Sequence, residues 1–138
     1  VVHIYNLHGE AGGSERDQEL QAADYEQLAD YITEHSKGAA VILAGDTNLH
    51  TDNEHPDGSD GADIVIWDKF LEATGLADSC AATDCDDPGR IDKFAFRSGD
   101  GVDLEILGRR FRTDFVDSAG EDLSDHQALE VRFGWKPT

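Results

Sequence analysis

The stretch Val41-Ile42-Leu43-Ala44-Gly45-Asp46-Thr47-Asn48 constrains this chain more than any other. Its aliphatic run reads as a buried strand. The run stops at Gly-Asp-x-Asn, where the glycine frees the backbone to turn and a carboxylate and a carboxamide follow at the strand's carboxyl end. Layered α/β folds carry their chemistry at that end. In isolation the motif reads as an Asx-type turn closing a strand. Its neighbours give it a larger meaning.

Val1 to Leu7 alternates loosely and reads as a strand ending at Asn6-Leu7-His8-Gly9. Ser14, with Asp17 three residues on, is an N-cap signal. From Glu15 to about His35, Leu20, Ala23, Leu28, Tyr31 and Ile32 keep helical spacing. Lys37-Gly38 closes that helix, and the Val41 strand begins at once. Strand, helix, strand is a layered α/β unit. A second helix is expected from about Ala62 to Thr74, with Ile64, Trp67, Phe70 and Leu71 inward and Gly75 beyond its end. Further strands are expected at Arg90–Phe96, at Val102-Leu104-Ile106 after the Ser98–Gly101 turn, and at Ala128–Trp135.

The 138 residues suit one domain, and no apolar run approaches membrane-spanning length. Thirty acidic residues against 11 basic ones leave a net charge of −19. Such a surface repels polyanions at low salt, which counts against a general nuclease, and it suits a chain adapted to high salt. With no methionine and Val1 first, the sequence is expected to be a processed product, a fragment or part of a longer chain. Cys80 and Cys85 sit in a polar, loop-like segment. A local disulfide in an oxidising compartment, secreted or periplasmic, is the first reading; two free thiols and half a zinc site are the alternatives.

Four polar motifs fall at strand ends: Asn6-x-His8, Gly45-Asp46-x-Asn48, Arg90-Ile91-Asp92 and Ser124-Asp125-His126. If those strands share a sheet, the ends converge. Hydrolysis of a phosphate ester calls for a cation, a base for the attacking water, and donors to the developing charge. The residues supply that set. They lack the glycine-flanked serine elbow of acyl transfer and the glycine-rich lysine loop of nucleotide binding. Asp46, Asp92 and Asp125 ionised together would themselves favour a metal.

In this order the four motifs, with the tail Leu123-Ser-Asp-His-Gln-Ala-Leu-Glu-Val-Arg-Phe-Gly-Trp135, resemble the endonuclease/exonuclease/phosphatase superfamily. The resemblance implies a four-layer α/β sandwich with helices outside. This chain matches only the second half of that domain, so residues 1–138 are expected to be a C-terminal half. An N-terminal half, in cis or as a separate chain, would bring the principal metal ligand. Alone, the chain would form an oligomer or act as a non-catalytic assembly module.

Carried over by the resemblance, His8 donates to the scissile phosphate or leaving group, and Asn6 stands beside it as a substrate contact. Asp46 orients or deprotonates the water, and Asn48 holds phosphate or water. Asp125, with Asp46, binds a divalent cation such as Mg²⁺, Mn²⁺ or Ca²⁺. His126 stands near the nucleophile and Asp92 fixes its tautomer. The substrate class is a phosphate ester: nucleic acid, phospholipid or small molecule.

The remaining polar residues have plainer readings. His3 is a strand residue, His35 lies at a helix C-terminus, and His50 and His55 are exposed loop residues. Asp57, Asp60 and Asp63 form a solvated acidic loop rather than a cation site. Lys93, Arg109, Arg110 and Arg112 read first as charge balance on an acidic surface and second as contacts to a substrate phosphate, and Arg90 reads as a surface charge or as the residue that orients Asp92. Phe94 and Phe96 read as core strand residues, and no exposed aromatic hairpin is evident.

Overall fold

A computed structural model describes residues 1–52, 54 and 60–138, with Asp60 described in its backbone only. The elements run β1 (Val2–His8), α1 (Glu15–His35), β2 (Ala40–Asp46), α2 (Asp60–Thr74), β3 (Ala77–Asp78), α3 (Ser79–Thr83), β4 (Asp92–Arg97), β5 (Val102–Phe111) and β6 (Leu129–Pro137). Strands β1, β2, β4 and β3 form a mixed sheet in that order, and β5 pairs with β6 in a hairpin. β1 and β2 run parallel, whereas β4 is antiparallel to both β2 and β3. No helix among the described residues is long and apolar enough to cross a membrane.

Each face of the sheet has its own partner. Val41, Leu43 and Ala95 point to the helices and join Tyr25, Ala29, Ile32, Trp67 and Phe70 in the main core. Tyr25 meets Trp67 and Phe70 edge-on. Alternate residues face the hairpin: Ala40 and Ile42 pack with Val102, Leu104 and Phe96, and Phe133 lies over Phe94 and Phe96. Helices, mixed sheet and hairpin are thus three successive layers of an α/β sandwich. On the hairpin face, Ile4 of edge strand β1 and Trp135 of edge strand β6 are exposed.

Ser14 caps α1 in a capping box with Asp17, as the spacing predicts. The buried line of α1 differs from expectation. Gln21, Tyr25, Ala29 and Ile32 face inward, while Tyr31 is exposed and Ala23 lies on the outer face. Hydrophobic periodicity misses this because the upper end of the helix packs under backbone carbonyls, which call for polar donors. In α2, Ile66 is buried more deeply than Ile64, and Asp63 is buried at 2% exposure. Asp63 accepts the His50 amide at 2.9 Å and lies 3.5 Å from the His50 ring, so neither residue is a free loop group. Asp57 and His55 lie outside the described residues.

The cysteine segment has more structure than its composition suggests. Asp78 caps the short helix α3, and Cys80 and Cys85 form a disulfide. β5 also runs through the basic island: Arg109 pairs with Asp87, Arg110 with Glu130, and Arg112 with Glu130 and Asp114. Each of these three arginines thus has a carboxylate partner.

Candidate active site

The residues that matter lie in one row across the sheet. His8 is in register with Asp46 on β2, and Asp46 with Asp92 on β4. Because side chains alternate along a strand, all three take the hairpin face, at the end of the apolar surface made by Ile4, Ile42 and Phe94. The parallel strands β1 and β2 end here, and antiparallel β4 begins here. That topology gathers Asn-x-His, Gly-Asp-x-Asn and Arg-Ile-Asp at one edge. Gly45 makes the approach possible: its φ is 153°, and a Cβ there would overlap the Leu7 carbonyl.

His126, just before β6, closes the row. Its Nδ1–H donates to Asp92, with Nδ1 lying 2.9 and 3.0 Å from the two carboxylate oxygens, leaving Nε2 toward Asp46 Oδ2 at 3.8 Å. His8 Nε2 approaches the same Asp46 oxygen from the other side at 3.7 Å. Two imidazoles therefore converge on one carboxylate oxygen at distances that leave no direct hydrogen bond. Two carboxylates directly opposed across strands repel, and the imidazole between them relieves this. The hydrogen bond to Asp92, and then its charge, raise the His126 pKa; partial desolvation opposes them, and Asp46 and Asp125 add smaller attractions.

Arg90 supports the pair. Its Nε lies 3.3 Å from Asp92 Oδ2, its Nη2 donates to the Gln127 carbonyl at 2.8 Å, and its guanidinium lies 4.6 Å above the Phe111 ring. One side chain thus ties Asp92 to the backbone beside His126. On the other flank, the Asn48 amide donates to Asp46 Oδ1 at 2.9 Å, and Asn48 Nδ2 donates to the Gly9 carbonyl at 2.8 Å. Asn48 takes a left-handed φ of 51°, which asparagine tolerates.

Comparisons with solved structures bear on the fold. An endonuclease/exonuclease/phosphatase from Beutenbergia cavernae superposes with a TM-score of 0.67 over 96% of this chain and 35% of that one, at 17% identity. A humanised TDP2 from D. rerio does so at 0.59 over 95% and 52%, with 18% identity. Staphylococcus aureus beta toxin follows at 0.52 over 95% and 52%. This chain has the endonuclease/exonuclease/phosphatase fold. In sequence it is 31% identical to a sphingomyelinase from Mycobacterium tuberculosis over 96% of this chain, and equally to one from Mycobacterium bovis. The chain spans 28% of the length of those relatives. No family profile matches it.

Within this endonuclease/exonuclease/phosphatase fold, His8, Asp46, Asp92 and His126 come together. Asn48 is adjacent, with its carboxamide engaged by Gly9. Asn6 lies one step back on the same face of β1, donating to the Ala44 carbonyl at 3.3 Å. Asp125 is exposed beside His126 and stands outside the group formed by Asp46, Asp92 and His126, whose ligand atoms lie within 4.8 Å of one another. Lys93 points to the opposite side of the sheet, where it is buried and donates to Thr51 and Pro88; burial lowers its pKa despite nearby acids.

Sequence reasoning overlooked two features. Gln21 lies beneath the site loops, and nothing in a polar helix position signals that. Phe115 and Leu123 are exposed side by side on a small hairpin next to Ser124-Asp125-His126, joined by the Leu123 amide and the Phe115 carbonyl. They line a cavity of about 610 Å³ with Arg112 and His126. The expectation of no exposed aromatic hairpin therefore needs correcting. The signal was there in Phe115, hidden by its acidic neighbours.

Proposed function

We propose that this chain is the C-terminal half of a divalent-metal-dependent phosphodiesterase, with His126, Asp46 and His8 as its acid–base groups. The observation that carries the reading is the convergence of two imidazoles on Asp46 Oδ2, with Asp92 gripping one of them. A carboxylate on Nδ1 raises the basicity of Nε2 and fixes the ring, so His126 and Asp46 take the proton from an attacking water. His8, on the far side of Asp46 and well exposed, donates to the phosphate or the leaving oxygen. Asn48 holds the Asp46 carboxylate in place through its amide.

The donor set fits part of a cation site. Asp92 is occupied by His126 and Arg90, which leaves Asp46 as the oxygen donor within the group that would hold a divalent ion; the exposed Asp125, which stands outside that group, is the second donor the family resemblance implies. A hard cation takes about six oxygens, so water and further ligands from an N-terminal half would have to complete its shell. Such an ion would supply neutralisation of the phosphate charge and polarisation of the leaving group. The exposed Ile4 and Trp135 on edge strands β1 and β6 support a second half that extends both sheets. If that half is missing, the chain serves as an assembly module; the intact mass of the working protein separates the two readings.

Among phosphodiesters, a lipid of the sphingomyelin kind is favoured by the mycobacterial relatives. The net charge of −19 and the apolar Phe115–Leu123 pair beside the site also favour it over DNA. The test compares hydrolysis of sphingomyelin vesicles, plasmid DNA and a small phosphomonoester by the complete protein. Sphingomyelin should be cleaved fastest, and EDTA, Asp46→Ala or His126→Ala should each remove about 10²–10⁴-fold of the rate. Turnover that survives EDTA and both substitutions refutes the reading.

A further inference from the structure

We infer that Gln21 is a positioning residue: a buried carboxamide on α1 that orients the Asp46 carboxylate through Asn48. Gln21 is fully buried on the inward line of its helix. Its Nε2 donates to the Glu10 carbonyl at 2.8 Å and the Asn48 carbonyl at 3.3 Å, and reaches that of Gly12 at 3.5 Å. Its Oε1 has no hydrogen-bond partner among the described residues. A wholly buried amide with an unused oxygen is unfavourable unless its donors are needed. An apolar side chain of the same length would otherwise suit this helix.

The donors act on one residue that matters for the site. Asn48 is held by its carbonyl from Gln21, while its amide holds Asp46 Oδ1 and its side chain holds the Gly9 carbonyl. The Gly9 amide in turn donates to the Asp46 carbonyl at 2.8 Å. One helical turn along, Tyr25 donates to the Thr47 carbonyl at 2.9 Å and fixes the residue between Asp46 and Asn48. With Oδ1 fixed by this chain of bonds, Oδ2 is left facing His8 and His126. Strand pairing alone sets where Asp46 stands; the Gln21–Asn48 link sets how its carboxylate is turned.

The test is Gln21→Met, which keeps length and apolar volume and removes the donors, with the exposed Gln27→Met as control. The Asn48 amide proton should lose its exchange protection in Gln21→Met alone. The kinetic arm rests on the phosphodiesterase reading: kcat should fall about 10- to 100-fold with KM unchanged. An Asn48 amide as protected as in the wild type, or an undiminished kcat in an otherwise active protein, overturns the inference. Should the wild type lack activity, the phosphodiesterase reading fails while the exchange arm still decides. Should Gln21→Met not fold, wild-type NMR suffices. The Gln21 side-chain protons should exchange slowly and show contacts to Glu10 and Asn48, and a fast, contact-free amide overturns the proposal.

Discussion

Asp92 grips His126 with both carboxylate oxygens, at 2.9 and 3.0 Å from a single ring nitrogen. The hydrogen bond and the negative charge both favour the imidazolium, so the His126 pKa in the metal-free protein should lie above the ordinary histidine value of 6.5. NMR titration of the EDTA-treated protein checks this, and Asp92→Asn should bring the value down. The sign for stability follows. A raised folded-state pKa contributes stability that is fully present below pH 6.5 and lost as pH rises through the folded value. Stability of the wild type should therefore fall across that window relative to Asp92→Asn. If His126 is the base, kcat rises over the same window.

Arg90 joins Asp92, Gln127 and Phe111 through one guanidinium. Arg90→Leu should lower kcat about 10- to 100-fold, in the range typical for groups that orient a catalytic or metal-binding residue. Arg90→Lys should recover only part of this, since an ammonium cannot contact Asp92, bond to Gln127 and stack on Phe111 together. Steady-state kinetics of both variants check the ordering, and full activity in Arg90→Leu would remove the role.

The Cys80–Cys85 disulfide closes a short loop just ahead of Arg90 and Asp92. Chain-entropy arguments for a loop this small give about 2 kcal/mol. Reduction should lower the melting temperature by roughly 5–10 °C. Calorimetry with and without dithiothreitol, alongside the Cys80→Ser, Cys85→Ser double variant, measures it. The variant should match the reduced protein.

Phe115 and Leu123 stand exposed next to His126. If they enter a bilayer, each contributes about 2 kcal/mol of apolar transfer. Phe115→Ser and Leu123→Ser should then each cut hydrolysis of vesicle-borne sphingomyelin by at least roughly tenfold. Hydrolysis of a soluble phosphodiester should be unchanged. Equal losses on both substrates would place these residues in the site instead of at a membrane.

Much of the sandwich was legible because its signals are local. The Ser14–Asp17 capping box, the Val41–Leu43 run and the alternation of Val102, Leu104 and Ile106 each report their own neighbourhood. The four-motif order also pointed to His8, Asp46, Asp92 and His126. What was not legible depends on what a residue meets across the fold. Gln21 looks like any solvated helix glutamine until the loops of Glu10 and Asn48 are laid over it. Lys93 looks like a surface cation until alternation, with Asp92 on one face, forces it to the other. Asp63 shows why an acidic stretch cannot be sorted by composition, since it is buried and accepts the His50 amide.

Lys93 also carries a wider implication. A slip of β4 by a single residue would turn its ammonium toward Phe133 and send the Asp92 carboxylate into the helix-side core. Its anchors at Thr51 and Pro88 thus act as a keying device for strand alignment. Damage to those anchors, remote from the site, would break up the row of His8, Asp46 and Asp92 by misaligning one strand in a protein that still looks folded.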